Sequence, residues 1–257
     1  MTNEPRDTKE RFTDRVADYV RARPSYPKAV VTDLEDAGAL FPGARIADIG
    51  AGTGISTALF LEADYDVVAV EPNAAMRAAA EERFHNDPKF RSIAGSAEAT
   101  GLGSASVDLV VAAQAFHWFD LTAARAEFLR ILRDKGPVAL IWNARRGSGT
   151  PFAEAYEKLL LEFGTDYREV GHRGVGSGRL QEFFGGAFTT TKHENFQELD
   201  LDGLRARLLS SSYVPAEGTT ERAAMLVELG MIFAANATGG HVRLEYDTEL
   251  SFGPLAP

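Results

Sequence analysis

The sequence predicts an α/β fold built on a doubly wound, mostly parallel sheet, and three observations predict it. Short β-branched runs alternate with Ala-rich helical runs from residue 44 to residue 143, and strands separated by helical stretches of about 10–14 residues are the pattern of βαβ units. Two runs, VDLVV and VALIW, are almost continuously apolar, as strands buried on both faces are. The third observation is the glycine loop GAGTG at 50–54, which ends one apolar run and opens a helical one.

The elements follow in order. Residues 8–22 set Phe12, Val16 and Tyr19 at helical spacing, so a first helix is expected there. Arg23-Pro24-Ser25-Tyr26-Pro27 comes next, where the residue before each proline is biased to extended backbone. A second helix is expected over 27–38, stopped by Gly38 and Pro42. The core then reads ARIADIG, ISTALFLEAD, YDVVAVE, NAAMRAAAEERF, KFRSIAG, SVDLVVAAQ, LTAARAEFLRILRD and KGPVALIWN. Beyond Asn143 the rhythm breaks. A loop leads into an amphipathic helix at 151–163 with Pro in its first turn, and residues 164–186 hold seven glycines. Strands are expected near 187–197 and 241–252, flanking helical runs at 200–212 and 219–236. The expected organisation is one domain over 1–257. It comprises lid helices at 8–38, a ligand-binding core at 44–143, a helical cap at 145–186, and C-terminal strands and helices at 187–257. Seven strands result, the last two an antiparallel edge hairpin closing the sheet.

Composition excludes several functions. The chain carries 27 Lys and Arg against 37 Asp and Glu, a formal charge of −10. That argues against a generic nucleic-acid binder, although a local basic patch is compatible with it. The absence of cysteine excludes a disulfide scaffold, a thiolate metal site and a cysteine nucleophile. His85, His172, His193 and His241 show no metal spacing, so no metal is expected. No apolar run approaches the roughly 18 residues of a membrane span, and the charged N-terminus does not read as a secretory signal. A cytoplasmic protein with no membrane partner is expected, as monomer or homodimer.

The most informative segment is Asp48-Ile-Gly50-Ala51-Gly52-Thr53-Gly54-Ile55. Alternate glycines allow positive φ and the approach of a ligand to bare backbone, and the helix that follows offers unpaired N–H groups. A second apolar run ends in Glu71, 17 residues beyond Gly54. In doubly wound folds an acid there accepts hydrogen bonds from ribose hydroxyls. The dinucleotide fingerprint wants its third glycine, or alanine, where this chain has Ile55.

The alternating G-x-G-x-G preceded by Asp48 resembles instead the first motif of class I S-adenosylmethionine-dependent methyltransferases. The resemblance continues. Gly95-Ser96-Ala97-Glu98 is similar to the family's third-strand motif. Val107 to Val111 followed by Gln114-Ala115-Phe116-His117-Trp118-Phe119-Asp120 is similar to its fourth strand and turn, and Leu129 to Pro137 holds the place of the turn before the fifth. Tyr19-x₃-Arg23-Pro24-x-Tyr26-Pro27, the Gln-Ala-x-His-Trp-Phe turn and Ser211-Ser212-Tyr213-Val214-Pro215 resemble the small-molecule branch that includes trans-aconitate methyltransferase-like proteins. Two departures stand out: Ser96 replaces the Asp of many relatives, and Asp134-Lys135-Gly136-Pro137 scrambles the usual proline and glycines.

The resemblance implies a Rossmann-like fold, S-adenosylmethionine as cofactor and a small-molecule methyl acceptor, a carboxylate among the candidates. It implies that Gly50, Ala51, Gly52 and Thr53 line the methionyl and ribose portion and that Asp48 orients the loop. Glu71 would hold the ribose, Pro72 and Met76 cover the adenine face, and Ser96, Ala97 and Glu98 surround its edge. Gln114, Ala115 and His117 would sit at the mouth, while Tyr19, Arg23 and Tyr26 close over the cofactor.

Several assignments carry a second reading. Met76 is equally suited to the core. His117 is the candidate catalytic residue by location, yet it suits backbone hydrogen bonding and pocket shaping. Trp118 reads as substrate contact or as wall, and Tyr213 as pocket residue or as core. Arg145, Arg146, Arg173 and Arg179 read as solvated charge or as a clamp for an acceptor carboxylate, since guanidinium forks match carboxylates. Two other classes compete. A nicotinamide-dependent oxidoreductase is disfavoured by Ile55 and by the lack of a Tyr-x-x-x-Lys pair. A non-catalytic cofactor-binding protein on the same fold is the other.

Overall fold

A computed structural model describes residues 22–165, 167 and 176–256. Residues 8–21 of the expected first helix, with Tyr19, and Arg173 of the glycine-rich stretch lie outside the described residues. The first described helix, α1 (Ala29–Asp36), precedes strand β1 (Arg45–Ile49). The alternation then runs α2 (Ile55–Glu62), β2 (Asp66–Val70), α3 (Ala74–Phe84), β3 (Phe90–Ile93) and β4 (Leu109–Ala113). After a short 3-10 turn (Phe116–Trp118) come α4 (Leu121–Ile131), β5 (Pro137–Arg145), α5 (Pro151–Phe163) and α6 (Ser177–Phe184). The chain closes with β6 (Thr189–Leu199), α7 (Leu201–Leu209), α8 (Thr220–Asn236) and β7 (Val242–Pro254).

The seven strands form one sheet in the order β3-β2-β1-β4-β5-β7-β6. The first five pair in parallel, and β7 pairs antiparallel with both β5 and β6. The two C-terminal strands therefore close the sheet as the sequence predicts, with helices α7 and α8 between them. Strand order reverses between β1 and β4, which opens the crevice at their carboxyl ends where such sheets take ligands.

Burial explains the continuous apolar strands. One face packs Ile46, Val67, Val111 and Ile141 against Val30, Leu34, Leu59 and Phe60 of α1 and α2. The other packs Ile49, Val110, Val138 and Leu140 against Phe128 of α4 and Phe183 and Phe184 of α6. A third cluster joins α5, α7 and α8 to Val242, Leu244 and Tyr246 of β7. The helices of the expected cap thus divide: α5 belongs to the third cluster and α6 to the layer under α4. Polar N-caps fix five helix starts, with Asn73, Asp120, Thr150, Asp200 and Thr219 each accepting from backbone N–H groups of the first turn. No helix among the described residues is long and apolar enough to cross a membrane.

Candidate functional site

The glycine loop runs from the tip of β1 into α2, and its three glycines all take positive φ, +68°, +58° and +80° at Gly50, Gly52 and Gly54. At Gly50 a side chain would also collide, because a Cβ there would lie 2.6 Å from the Ala115 Cβ. A Cβ on Gly52 would meet only the Met76 sulfur at 3.8 Å. This central glycine leaves its backbone bare toward open space, and Met76 forms the floor beside it.

Glu71, at the tip of β2, is buried and tied to that loop. Its Oε2 accepts the Gly52 N–H at 2.9 Å and its Oε1 accepts the Asn73 N–H at 2.8 Å. Burial raises its pKa, and the two N–H groups and the Arg77 charge oppose the rise. Pro72 beside it is exposed, while Ala51, Met76 and Ala97 are buried.

Asp48 lies beneath the loop, fully buried. Its Oδ2 accepts the hydroxyls of Ser56 and Thr57, each at 2.7 Å, so it anchors the first turn of α2. Burial pushes its pKa up to about 6. Its Oδ1 and the Thr53 hydroxyl are buried without a hydrogen-bond partner among the described residues. Buried polar atoms are rarely left so, and both residues belong to the segment 48–54 that carries the loop. Residues present thus fit a ligand with polar groups at this loop.

The neighbouring strand tips complete the crevice. Ser96 and Ala99 exchange backbone hydrogen bonds in a tight turn, and Glu98 accepts the Asp120 N–H at 3.1 Å. Glu127 of α4, which no sequence motif singles out, holds this turn: its Oε1 accepts both the N–H and the hydroxyl of Thr100, at 2.9 and 2.5 Å. The Arg130 guanidinium beside it holds its pKa down at about 2, despite opposing desolvation. Gln114, just past β4, has φ +57°, an uncommon conformation for a residue with a side chain and one found at functional sites. Its Nε2 donates to the Asn143 carbonyl at 3.0 Å, joining the tips of β4 and β5.

His117 sits between indoles, its ring centroid 4.4 Å from Trp118 and 5.2 Å from Trp142. The residue keeps an open edge to solvent, yet desolvation by its surroundings, with the Arg179 charge, lowers its pKa to about 4. It is neutral at pH 7 and a weak base, which suits pocket shaping better than proton removal. Arg179 reaches the carbonyl of Phe119 at 3.3 Å, and Trp118 is 41% exposed.

The remaining predicted residues lie elsewhere. Arg23 donates to the Ser210 carbonyl at 2.7 Å, and Tyr26 packs in the core beside Val30 and Phe252. Arg145 is buried and ion-paired with Glu157, with the Tyr167 hydroxyl at 2.7 Å. Arg146 points to the other face, where Asp247 binds it at 2.6 Å and Glu194 at 3.3 Å. The two adjacent arginines therefore do not form one clamp. Tyr213 is buried against Tyr167, ring centroids 5.0 Å apart.

Fold and loop together define a Rossmann-like protein of the class that carries S-adenosylmethionine-dependent methyltransferases. Residues 47–140 match the family described as a methyltransferase domain. An uncharacterized methyltransferase of Mycobacterium tuberculosis is 40% identical over 149 residues, covering 56% of this chain and 57% of that protein. An uncharacterized methyltransferase of Schizosaccharomyces pombe is 35% identical over 150 residues, covering 58% of each. The matched segments thus span a little over half the length of these curated relatives. Among solved structures, a candidate type II methyltransferase from Anaeromyxobacter dehalogenans superposes with a TM-score of 0.67 at 25% identity, covering 91% of this chain and 99% of that one.

Proposed function

We propose that this chain transfers a methyl group from S-adenosylmethionine to a small-molecule acceptor, with carboxylates among the acceptors it takes. The observation that carries the reading is the Glu71 carboxylate fixed on the Gly52 N–H at 2.9 Å, with the Thr53 hydroxyl and Asp48 Oδ1 buried without a partner among the described residues.

When bound, the cofactor supplies a methyl group already activated by a sulfonium. The work left to the chain is binding, orientation and water exclusion, in keeping with displacement chemistry that depends on placing a nucleophile at about 3–3.5 Å. Glu71 holds the ribose hydroxyls, and Gly50, Ala51, Gly52 and Thr53 receive the ribose and methionyl portion. Asp48, through its free Oδ1, takes a donor or a water at the loop. Met76 and Pro72 cover the adenine, with Ser96, Ala97 and Glu98 at its edge. Gln114, Ala115 and His117 border the mouth, where His117 and Trp118 shape the entry and no general base is assigned. An acceptor that arrives ionised requires none.

Two measurements on the full chain test this. Methyl transfer from methyl-labelled S-adenosylmethionine to a panel of carboxylic acids is expected to give labelled ester. Thermal shift is expected to respond to S-adenosylhomocysteine and not to NADH. A response to NADH alone would favour the oxidoreductase reading, and a response to the adenosyl ligands without transfer to any acceptor would favour a non-catalytic binder.

A further inference from the structure

Arg207, on α7, is 3% exposed. Its Nε donates to the Tyr246 hydroxyl and its Nη1 to the Ser211 hydroxyl, both at 3.1 Å. No aspartate or glutamate pairs with it among the described residues, and its Nη2 makes no hydrogen bond among them. Tyr156 and Tyr213 stand around the same guanidinium. A second buried cation completes the cluster, for the Arg145 guanidinium lies 5.2 Å from the centre of the Tyr156 ring. Arg145 has the single carboxylate, Glu157, and its Nε is buried without a partner among the described residues. Among the described residues, two guanidiniums and one carboxylate leave the cluster short by one negative charge. A buried charge without a counter-ion is costly, and phenol hydroxyls solvate a cation without neutralising it.

The cluster stands in line with the cofactor loop. Arg145 is the last residue of β5 and lies opposite Tyr246 of β7 in register. Asn143, two residues earlier, takes the Gln114 amide, and Ala115 abuts Gly50. The row of strand tips thus runs from the glycine loop to the tyrosines around Arg207.

We propose that Arg207 is the recognition residue for a carboxylate on the methyl acceptor, held on its Nη2 edge. This deepens the reading above and rests on it. A monoanion matches the one missing charge, whereas a phosphate dianion would overshoot it. The guanidinium fork also suits the planar geometry of a carboxylate.

The test is thermal shift of the full chain saturated with S-adenosylhomocysteine. The probes are phenylacetate, butyrate and inorganic phosphate, with phenylacetamide and butyramide as neutral matches at equal ionic strength. The carboxylates are expected to raise Tm above their amides in the unmodified chain and in the surface variant Arg243→Gln. In Arg207→Met this response is expected to vanish while the S-adenosylhomocysteine shift persists, and the unliganded variant melts ~2–4 °C higher because a buried unpaired charge is gone. Arg207→Lys keeps the charge and loses the fork; at least tenfold weaker half-saturation is expected of it, which serves if the Met variant does not fold. Equal responses to acids and amides, a carboxylate response that survives Arg207→Met, or protection by phosphate alone would each overturn the proposal. Loss of the S-adenosylhomocysteine shift in the unmodified chain would instead count against the cofactor reading.

Discussion

Glu71 and Gly52 are joined by a hydrogen bond of 2.9 Å from the Gly52 N–H to the Glu71 Oε2. The acid that closes β2 and the loop that closes β1 are thereby one unit, 19 residues apart in sequence. Hydrogen bonds to a charged group contribute about 1.5–3 kcal/mol each. Glu71→Ala is therefore expected to weaken S-adenosylhomocysteine binding by about 10- to 150-fold, read by calorimetric titration. Binding within twofold of the unmodified chain would remove Glu71 from the site.

The glycines of the loop are expected to differ in what they tolerate. Gly50→Ala meets both a left-handed φ and the Ala115 Cβ at 2.6 Å, whereas Gly52→Ala meets only its φ. We expect Gly52→Ala to cost about 1 kcal/mol of stability and Gly50→Ala several times more, measured by chemical denaturation. Equal costs would show that the Ala115 contact is not tight.

Asp48 gives the pH dependence a sign. Its pKa in the folded state, about 6, lies above the ordinary value of 3.8. Between these values the folded chain holds a proton that the unfolded chain releases, so this group's contribution to stability falls as pH rises from about 4 to about 6. A difference of about two pH units corresponds to about 3 kcal/mol. Asp48→Asn is expected to be more stable than the unmodified chain at pH 8, with the advantage fading near pH 4. A variant less stable at pH 8 would mean that the ionised carboxylate, with Ser56 and Thr57, is itself stabilising.

His117 is expected to stay neutral across the physiological range. Its resonances should titrate near pH 4, and Arg179→Gln should move them upward by removing a neighbouring positive charge. His117→Gln should leave the shape of the pH–rate profile above pH 6 unchanged. An ascending limb near pH 6–7 that disappears in this variant would restore His117 as a base.

Glu127 reads as a positioning residue for the turn at 96–100. Glu127→Ala removes acceptor bonds to Thr100 and the ion pair with Arg130, and a loss of about 1–3 kcal/mol is expected. If the turn matters for adenine, S-adenosylhomocysteine affinity should fall while Glu127→Gln restores part of it. Unchanged affinity in both would confine Glu127 to folding.

The parts legible in the sequence are those written locally. The apolar strands, the G-x-G-x-G loop and Glu71 are short patterns within one βαβ unit, and each occupies its expected element. What escaped depends on distant partners. Arg145 follows a strand and reads as solvated charge, yet Glu157 and Tyr156 of α5 cover it. Its neighbour Arg146 follows the strand's alternation and is taken by Asp247 from the far end of the chain. Arg207 offers no motif at all, since Tyr246 meets it only when β7 inserts beside β5. The positive φ of Gln114 has no signature in its residue type.

The loop at 50–54, with Glu71, is proposed to hold S-adenosylmethionine. Calorimetric titration of the full chain with S-adenosylhomocysteine tests it most directly. One-to-one binding, weakened at least tenfold by Glu71→Ala and absent with NAD, is the predicted result. No heat at millimolar ligand, or equal binding to the unmodified chain and to Glu71→Ala, would contradict it.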